Sequence, residues 1–384
     1  MSAWLHLNPA GRIRGASSSR SAAAGIGLLL VAAALAPAML FGFSAGSTQQ
    51  DLAAREARTF LAGYVEPNGR VVRRDQGGDT VSEGQAYAML LAESVGDRAL
   101  YARLWRWTAT HLQRPDGLFS YLTDGSGHVR DAMPAADADL LIAWSLARAR
   151  WPGARAYHMA ARRIAAAILR RETARRGGRL VLAAGPWATG APVSIDPSYW
   201  APEAFRALAA LTGDRRWLEL ARSSLALATS LSEAGAKLPP DWARIDGGTA
   251  VAAPAPNGAV PQTRYGLDAQ RLVVWLGVSC NASERRLAAR WAAILAGPAA
   301  SRAIALAPNG SIIDAATNAL PLVASAAAAQ AAGRQQRRDQ LLAQAASVEE
   351  AHPTYYGAAW LALGRTLLTS SSLGSCAAGG GGGS

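Results

Sequence analysis

The sequence predicts an all-α protein whose helices form a closed ring, and three observations support this fold class. Half of the residues, 50%, are hydrophobic, so a chain of 384 residues can bury a large core. Apolar residues recur at helical spacing in segments of about ten to fifteen residues, separated by Gly, Pro and Asp clusters. Several of these apolar segments open with an acidic residue.

Twelve segments have the apolar periodicity of helices. They span residues 51–63, 82–94, 98–112, 137–150, 154–171, 202–211, 215–231, 268–278, 282–295, 320–332, 335–346 and 356–368. Strand patterns are few and short, chiefly GLFSYL at 117–122 and RLVLAAG at 179–185, each followed by a turn sequence. These patterns predict small hairpins at one end of a helical domain.

The first 47 residues have the organisation of a signal peptide. Arg12, Arg14 and Arg20 precede the apolar segment GIGLLLVAAALAPAMLFGF, and small residues follow it up to Ser47. The apolar segment is also long enough to remain as a membrane anchor. Either form predicts a periplasmic or secreted protein that contacts a membrane only through this leader.

The rest of the chain is predicted to form one domain. No Pro/Ser-rich linker interrupts residues 48–370, which favours a single helical unit. Residues 371–384, which include the sequence SCAAGGGGGS, are predicted to form a flexible tail.

The charge and the cysteine content argue against several protein classes. The net charge is +12, and seven arginines lie within residues 162–179, but no zinc-finger, ribonucleoprotein or basic-zipper pattern accompanies them. A solvated helix face is therefore favoured, and no nucleic-acid partner is expected. Cys280 and Cys376 allow at most one disulfide. Without CxxC or paired-histidine spacing, we expect no metal site.

Acidic residues begin three of the predicted helices. Glu83 lies in SEGQAYAMLLA, Asp137 and Asp139 lie in ADADLLIAWSLARA, and Asp268 lies in YGLDAQRLVVWLG. A carboxylate beside apolar residues loses hydration unless a partner compensates it, so these side chains are predicted to meet at a shared cleft. The alternative is that Ser82, Asp137 and Asp268 serve as N-cap or first-turn residues, where their oxygens meet unpaired amide groups and negative charge suits the helix dipole.

The acids also bear on how the twelve helices are arranged. An open solenoid requires repeats that resemble one another, and no motif recurs here at a fixed period. A closed double ring of six inner and six outer helices would instead bring the ends of the inner helices to one groove.

Hydrolysis of a glycosidic bond could use such a groove. An inverting enzyme needs a general acid and a general base about 6.5–9.5 Å apart, and Glu83 and Asp268 are the predicted pair.

Five motifs in succession resemble those of glycoside hydrolase family 8: SEGQAYAMLLA, AADADLLIAWSLARARW, DPSYW, RYGLDAQR and YYGAAWLAL. LWRWT at 104–108 and PPDW at 239–242 resemble family members that act in the periplasm during bacterial cellulose synthesis. The resemblance implies an (α/α)6 barrel and an inverting endo-acting hydrolase of β-1,4-glucan that needs no cofactor. It also implies a cellulose-export assembly as a partner.

The resemblance assigns roles to individual residues. Glu83 matches the general acid, Asp268 the general base, and Asp137 the signature acid that holds and distorts the sugar. Asp139 faces another direction on the helix, where pairing with backbone or arginine is its alternative role. Substrate or water contacts are expected for Tyr199, Arg271, Tyr355, Tyr356, Trp187, Trp200 and Trp242, although core packing is the alternative for the tyrosines. The sequence departs from the family pattern at Ala136, where Ser or Thr is usual, and at Leu267, where an aromatic residue is common.

Other functions stay open. Relatives in this family act on xylan, chitosan or mixed-linkage glucan. A non-catalytic polysaccharide-binding toroid would keep an aromatic groove without a working acid and base, and a helical-repeat interaction protein would have a periodic sequence. The presence of both Glu83 and Asp268, and the lack of a repeat, favour the hydrolase.

Overall fold

The structure is a computed structural model that describes residues 48–256, 258 and 260–373. The predicted leader, residues 1–47, lies outside these residues, as does most of the predicted tail. Both assignments stay predictions.

Twelve α-helices occur in the described part of the chain, one for each predicted segment. They are α1 (Gln49–Tyr64), α2 (Ser82–Ser94), α3 (Arg98–His111), α4 (Ala136–Arg148), α5 (Arg155–Arg171), α6 (Pro202–Thr212), α7 (Arg216–Leu231), α8 (Leu267–Gly277), α9 (Ala282–Trp291), α10 (Ala319–Ala331), α11 (Gln335–Ala351) and α12 (Tyr355–Thr369). Their starts agree with the predicted starts to within two residues.

The helices form a closed ring of two layers. The even-numbered helices are the inner layer: each contacts the next, and α12 returns to contact α2. Each odd-numbered helix lies outside and contacts a neighbouring inner helix. The inner helices are buried around nearly their whole circumference, as α10 shows with residues 319–330 all buried. The predicted (α/α)6 architecture is confirmed.

Arg365 of α12 holds together the two ends of the described chain. Its guanidinium donates to Glu56 Oε2 at 2.7 Å, to Gln49 Oε1 at 3.1 Å and to the Leu342 carbonyl at 2.8 Å. The arginine is only 2% exposed, so these contacts are shielded from competing water. They connect α1, α11 and α12 at the point where the ring closes.

Short antiparallel strands decorate the ring. They are β1 (Thr80–Val81), β2 (Leu122–Thr123), β3 (Val129–Asp131), β4 (Thr173–Arg176), β5 (Arg179–Leu182), β6 (Val193–Ile195), β7 (Ala243–Asp246), β8 (Thr249–Ala252), β9 (Ala303–Leu306) and β10 (Ile312–Thr317). They pair in the orders β1-β2-β3, β4-β5, β6-β7-β8 and β9-β10.

The two predicted strand regions had different outcomes. The pattern at 179–185 forms β5, which pairs with β4 in the register Thr173 to Leu182. The pattern at 117–122 contributes only Leu122 to a strand, while Phe119 makes an isolated bridge to Gln113. The predicted six-residue strand is therefore wrong. The Asp139 side chain accepts the Phe119 amide hydrogen that a regular strand ladder would use.

The strands place the site residues. β1 runs directly into α2, and β6 ends immediately before Asp196. Within the described residues, no helix is both long enough and apolar enough to cross a membrane. Cys280 forms a disulfide bond, and Cys376 lies outside the described residues.

Candidate active site

The N-terminal ends of the inner helices meet at one end of the ring. One outer helix that runs back separates each inner helix from the next, so the inner helices point in the same direction. Glu83 lies in the first turn of α2, Asp137 in that of α4 and Asp268 in that of α8. Unpaired amide groups and the helix dipoles favour negative charge at this end.

The acids do not cap the helices on which they lie. The N-cap residues of α2, α4 and α8 are Val81, Ala135 and Gly266, and none of them makes a side-chain capping bond. Asp137 accepts a backbone hydrogen bond only from the adjacent Ala138, at 2.8 Å. The N-cap part of the alternative is therefore wrong for these three helices, although the acids do lie in the first turn, and Asp137 and Asp268 have further partners elsewhere in the fold.

Arg271 of α8 joins the carboxyl groups of Asp137, Asp268 and Asp196. Nη1 donates to Asp137 Oδ2 at 2.8 Å, and Nη2 donates to Asp268 Oδ1 at 2.9 Å and approaches Asp196 Oδ2 at 3.5 Å. The arginine side chain is 5% exposed, so the cluster is largely desolvated. Breaking such a network by removing its one cation leaves uncompensated buried charge.

Aromatic rings support the Arg271 guanidinium. Nη1 also donates to the Tyr87 hydroxyl at 3.4 Å, and the guanidinium carbon lies 5.4 Å from the centroid of the Tyr199 ring. Burial raises the pKa of Asp137 and of Asp196, and the positive charge of Arg271 opposes that rise in both. Fixed contacts therefore define the geometry of the cluster, while burial and the charge of Arg271 act in opposite directions on the ionisation of its carboxyl groups.

Glu83 has different surroundings. No hydrogen bond or ion pair joins its carboxyl group to a described residue, and its side chain is half-buried. Burial, followed by the charge of Asp137, raises the pKa of Glu83 to about 7, against the opposing charges of Arg271 and Arg73. A carboxyl group with this pKa keeps a proton near neutrality, as a general acid requires.

Tyr355 closes one side of the Glu83 environment. The residue after Glu83 is Gly84, and a Cβ there would overlap the Tyr355 hydroxyl, so a glycine is needed for the ring to approach α2. The Tyr355 ring also contacts Tyr64 and Phe60, with centroids 5.6 and 6.1 Å away. Core packing therefore accounts for much of this side chain, and its hydroxyl lies beside the candidate acid.

Asp241 fixes the start of α8 and hence the position of Asp268. Asp241 Oδ1 accepts the Gly266 amide at 2.7 Å and the Ala269 amide at 2.9 Å. A Cβ at Gly266 would overlap the Asp241 carboxylate. Burial, followed by the charge of Asp268, raises the pKa of Asp241 to about 6. The Asp268 side chain, held at this helix start, is 40% exposed and open to solvent.

Three aromatic residues form a row that extends from the cluster. The Tyr199 ring lies 6.3 Å from Trp242, and Trp242 lies 6.4 Å from Trp187, which is half-buried and donates its indole N–H to the Pro134 carbonyl at 3.2 Å. Flat aromatic faces suit the apolar faces of sugar rings, and Trp187 is the accessible member of the row, since Tyr199 and Trp242 are 3% and 7% exposed. Trp200 is 1% exposed, so its indole packs in the core, and this corrects its assignment as a groove residue.

Sequence reasoning missed Asp196 and Asp241 as site residues. Asp196 lies in the motif DPSYW and Asp241 in PPDW, and the sequence predicts sugar contacts only for the aromatic residues of these motifs. Tyr356 lies near Arg271 and is 8% exposed, and its predicted substrate contact stays a prediction. Among the described residues, no group of three or more His, Cys, Asp or Glu side chains could hold a metal ion.

This combination of ring and site defines the class of the protein. A closed (α/α)6 ring, with a high-pKa carboxylic acid and a solvent-open carboxylate at the ends of two inner helices, is the arrangement of an acid–base glycoside hydrolase.

Comparisons with known proteins agree. The profile of Glycosyl hydrolases family 8 matches residues 30–369. A probable endoglucanase of Novacetimonas hansenii is 34% identical over 231 residues, which are 59% of this chain and 67% of that protein. An endoglucanase of Cellulomonas uda is 32% identical over 197 residues, 49% of this chain and 55% of that protein. The endo-β-1,4-glucanase CMCax from Acetobacter xylinum superposes with a TM-score of 0.66 at 26% identity, covering 83% of this chain and 98% of that one. The chain belongs to glycosyl hydrolases family 8.

Proposed function

We propose that this protein is an endo-β-1,4-glucanase that inverts the anomeric configuration. The observation that carries the proposal is the contrast within one site between Glu83, whose pKa is raised to about 7, and Asp268, which is ion-paired and open to solvent. Relatives named endoglucanases, including CMCax, support the choice of glucan as the substrate.

Each carboxyl group has one task in the proposed reaction. Glu83 gives its proton to the glycosidic oxygen as the bond from that oxygen to the anomeric carbon breaks. A water molecule on the opposite face attacks the anomeric carbon, and Asp268 accepts the proton that this water loses. Asp137, fixed by Arg271 at 2.8 Å, holds a sugar hydroxyl at the cleavage point.

The charges in the site favour a neutral glucan over chitosan. A cationic amino sugar would need carboxylates that lack a partner, but Arg271 already occupies Asp137, Asp196 and Asp268. Trp187, the half-buried member of the row that continues through Trp242 to Tyr199, supplies an apolar contact instead. Binding alone without hydrolysis would not require the raised pKa of Glu83.

We also propose that the protein acts in the periplasm or outside the cell, in connection with cellulose synthesis and its export assembly. The leader-like residues 1–47 support this location, and the disulfide bond of Cys280 suits an oxidising compartment. Fractionation of the producing cells, with mass measurement of the mature chain, tests it. Full-length protein in the cytosolic fraction would contradict it.

Activity is tested on four polysaccharides with the protein from residue 48 onward: carboxymethylcellulose, xylan, chitosan and mixed-linkage glucan. We expect viscosity to fall faster than reducing ends appear, first on carboxymethylcellulose, with the α-anomer as the initial product by NMR. Glu83→Gln and Asp268→Asn should abolish this activity, and Glu350→Gln, an exposed position on α11, is the matched control. Hydrolysis of another glycan alone would reject the glucan assignment, and binding without hydrolysis would indicate a carbohydrate-binding protein.

A further inference from the structure

The carboxyl groups of Asp139 and Glu172, which the proposed reaction does not use, are buried side by side in the core near Asp137. Asp139 lies in the first turn of α4, two residues after Asp137, and Glu172 immediately follows the last residue of α5. Both residues are 0% exposed, and their carboxyl groups lie within hydrogen-bonding reach of each other. Neither forms an ion pair with a described residue.

The hydrogen bonds of the pair are incomplete if both groups are ionised. Asp139 Oδ1 accepts the Phe119 amide at 2.8 Å, but Asp139 Oδ2 and both Glu172 oxygens have no donor among the described residues. Two carboxylates cannot donate to each other, whereas a carboxylic acid and a carboxylate can. Because Asp139 already accepts an amide hydrogen bond, it is the better carboxylate and Glu172 the better acid.

We propose that Asp139 and Glu172 share one proton, with the Glu172 hydroxyl donating to Asp139, and that this pair positions Asp137 at the sugar site. The positioning role rests on the proposed function, whereas the shared proton does not. Asp139 and Glu172 are positioning residues, since neither is exposed to substrate.

The pair connects the three chain segments that surround Asp137. Through the Phe119 amide, Asp139 holds the segment that leads into β2. Glu172 precedes β4, and its carbonyl accepts the Ala183 amide at 2.8 Å. The next residue, Ala184, accepts the Ala136 amide at 3.1 Å, directly before Asp137. Loss of the bond between the two carboxyl groups would therefore loosen the backbone on both sides of Asp137.

The charges that face the pair are also acidic. Asp137 on α4 and Asp116 on the segment before β2 both act on it, and Arg114 pairs with Asp116 at 3.0 Å. Arg171 acts on Asp116 and is exposed. Burial raises the pKa of Asp139 and of Glu172 well above the usual values, so the folded protein retains protons that the unfolded chain releases. The stability that depends on this proton is complete at low pH and is lost as the pH rises.

The test compares wild type with Glu172→Gln, whose amide can donate to Asp139 without titrating. Unfolding constants are measured with denaturant between pH 5.5 and 7.5. We expect the unfolding constant of wild type to rise more steeply than that of Glu172→Gln, by up to about tenfold per pH unit, which is the effect of one retained proton. The control is Glu219→Gln, near the same hairpin: Arg175 lowers the pKa of Glu219, so this variant should keep the wild-type slope. Equal slopes for wild type and Glu172→Gln would overturn the shared proton.

Positioning is tested with a second variant, Glu172→Leu, which leaves Asp139 Oδ2 without a donor. We expect kcat on soluble glucan to fall more than tenfold in Glu172→Leu, and the conservative Glu172→Gln to restore it to within about threefold of wild type. Wild-type kcat in Glu172→Leu would overturn the positioning role. If Glu172→Leu does not fold, Glu172→Gln at pH 5.5 provides the test, because it keeps the donor to Asp139. A more than tenfold fall in its kcat would then overturn the positioning role. If wild type hydrolyses no glycan, the proposed function and the positioning role fail, and the pH slope still decides the shared proton.

Discussion

Glu83 and Asp268 occupy equivalent places in the ring, but their surroundings differ. Each lies in the first turn of an inner helix whose N-cap makes no side-chain bond. Asp268 is ion-paired with Arg271 at 2.9 Å, and Asp241 anchors its helix start by two backbone amides. Glu83 has no such partner in the part of the chain that the structure describes, and it lies beside Tyr355. Two carboxyl groups on the same local pattern thus have different partners because of residues far away in the sequence.

This comparison shows how a ring of similar helices can support acid and base chemistry together. Environments that push the properties of two titratable groups apart separate the proton donor from the proton acceptor. Arg271 stabilises charge on the α8 side, while burial and the charge of Asp137 favour the neutral form of Glu83.

The largest effect is expected for Glu83→Gln, which removes the proton donor. We expect kcat on glucan to fall by about 10⁴-fold, at the upper end for general acid catalysis. In an aryl glycoside of a β-1,4-glucan oligosaccharide, the leaving aryl oxygen needs little protonation. The variant should therefore keep most of its activity on that substrate. Equal losses on both substrates would show that Glu83 is not the acid.

Asp268→Asn should affect both substrates alike. The water must lose its proton whichever group leaves, so we expect kcat to fall about 10³-fold on glucan and on the aryl substrate. Steady-state kinetics of the two variants side by side measure the contrast. Asp246→Asn, at the exposed end of β7, is the matched control and should behave as wild type.

Arg271→Met should mainly reduce stability. It leaves the carboxyl groups of Asp137, Asp196 and Asp268 together without a cation, which should lower the free energy of unfolding by about 3–5 kcal/mol. Denaturant unfolding measures the change, with the exposed Arg222→Met as control. A loss below about 1 kcal/mol would mean that the cluster relaxes without its arginine.

The pH profile should report the Glu83 proton. Because the pKa of Glu83 is raised to about 7 and the acid must be protonated, kcat/KM should fall tenfold per pH unit above that value. Asp137 raises this pKa by its charge, so the residual activity of Asp137→Asn should have its alkaline limb at lower pH. An unmoved limb would assign it to another group.

The smallest effect concerns the aromatic row. Trp187→Ala should raise KM for glucan roughly fivefold, as expected for loss of about 1 kcal/mol of stacking, with little change in kcat. Trp200→Phe, in the core, should lower stability and leave KM unchanged. The reverse pattern would exchange the roles of the two tryptophans.

Local sequence signals explain why the helices could be predicted. Pro202 starts α6, and Gly213 ends it with a left-handed φ of 75°, both of which are signals within the helix itself. The end of α11 was placed at residue 346, five residues too early, because the polar sequence SVEE continues the helix without apolar periodicity. The β6–β7 pairing could not be predicted either, since Val193 and Ile245 lie far apart in the chain.

The site divides in the same way. Glu83, Asp137 and Asp268 stand out because each interrupts an apolar pattern at a helix start. Asp241 and Glu172 act only through partners contributed by other segments, so no local pattern distinguishes them from ordinary loop acids. Their importance follows from contacts that exist only in the folded ring.

Closure of the ring also determines when the protein becomes active. Glu83 is carried by the first inner helix and Tyr355 by the last, and Arg365 joins α12 to α1 only when both are present. During synthesis, the candidate acid therefore has no finished environment until nearly the whole domain has emerged. We expect the nascent chain to be inactive, so that activity reports complete folding.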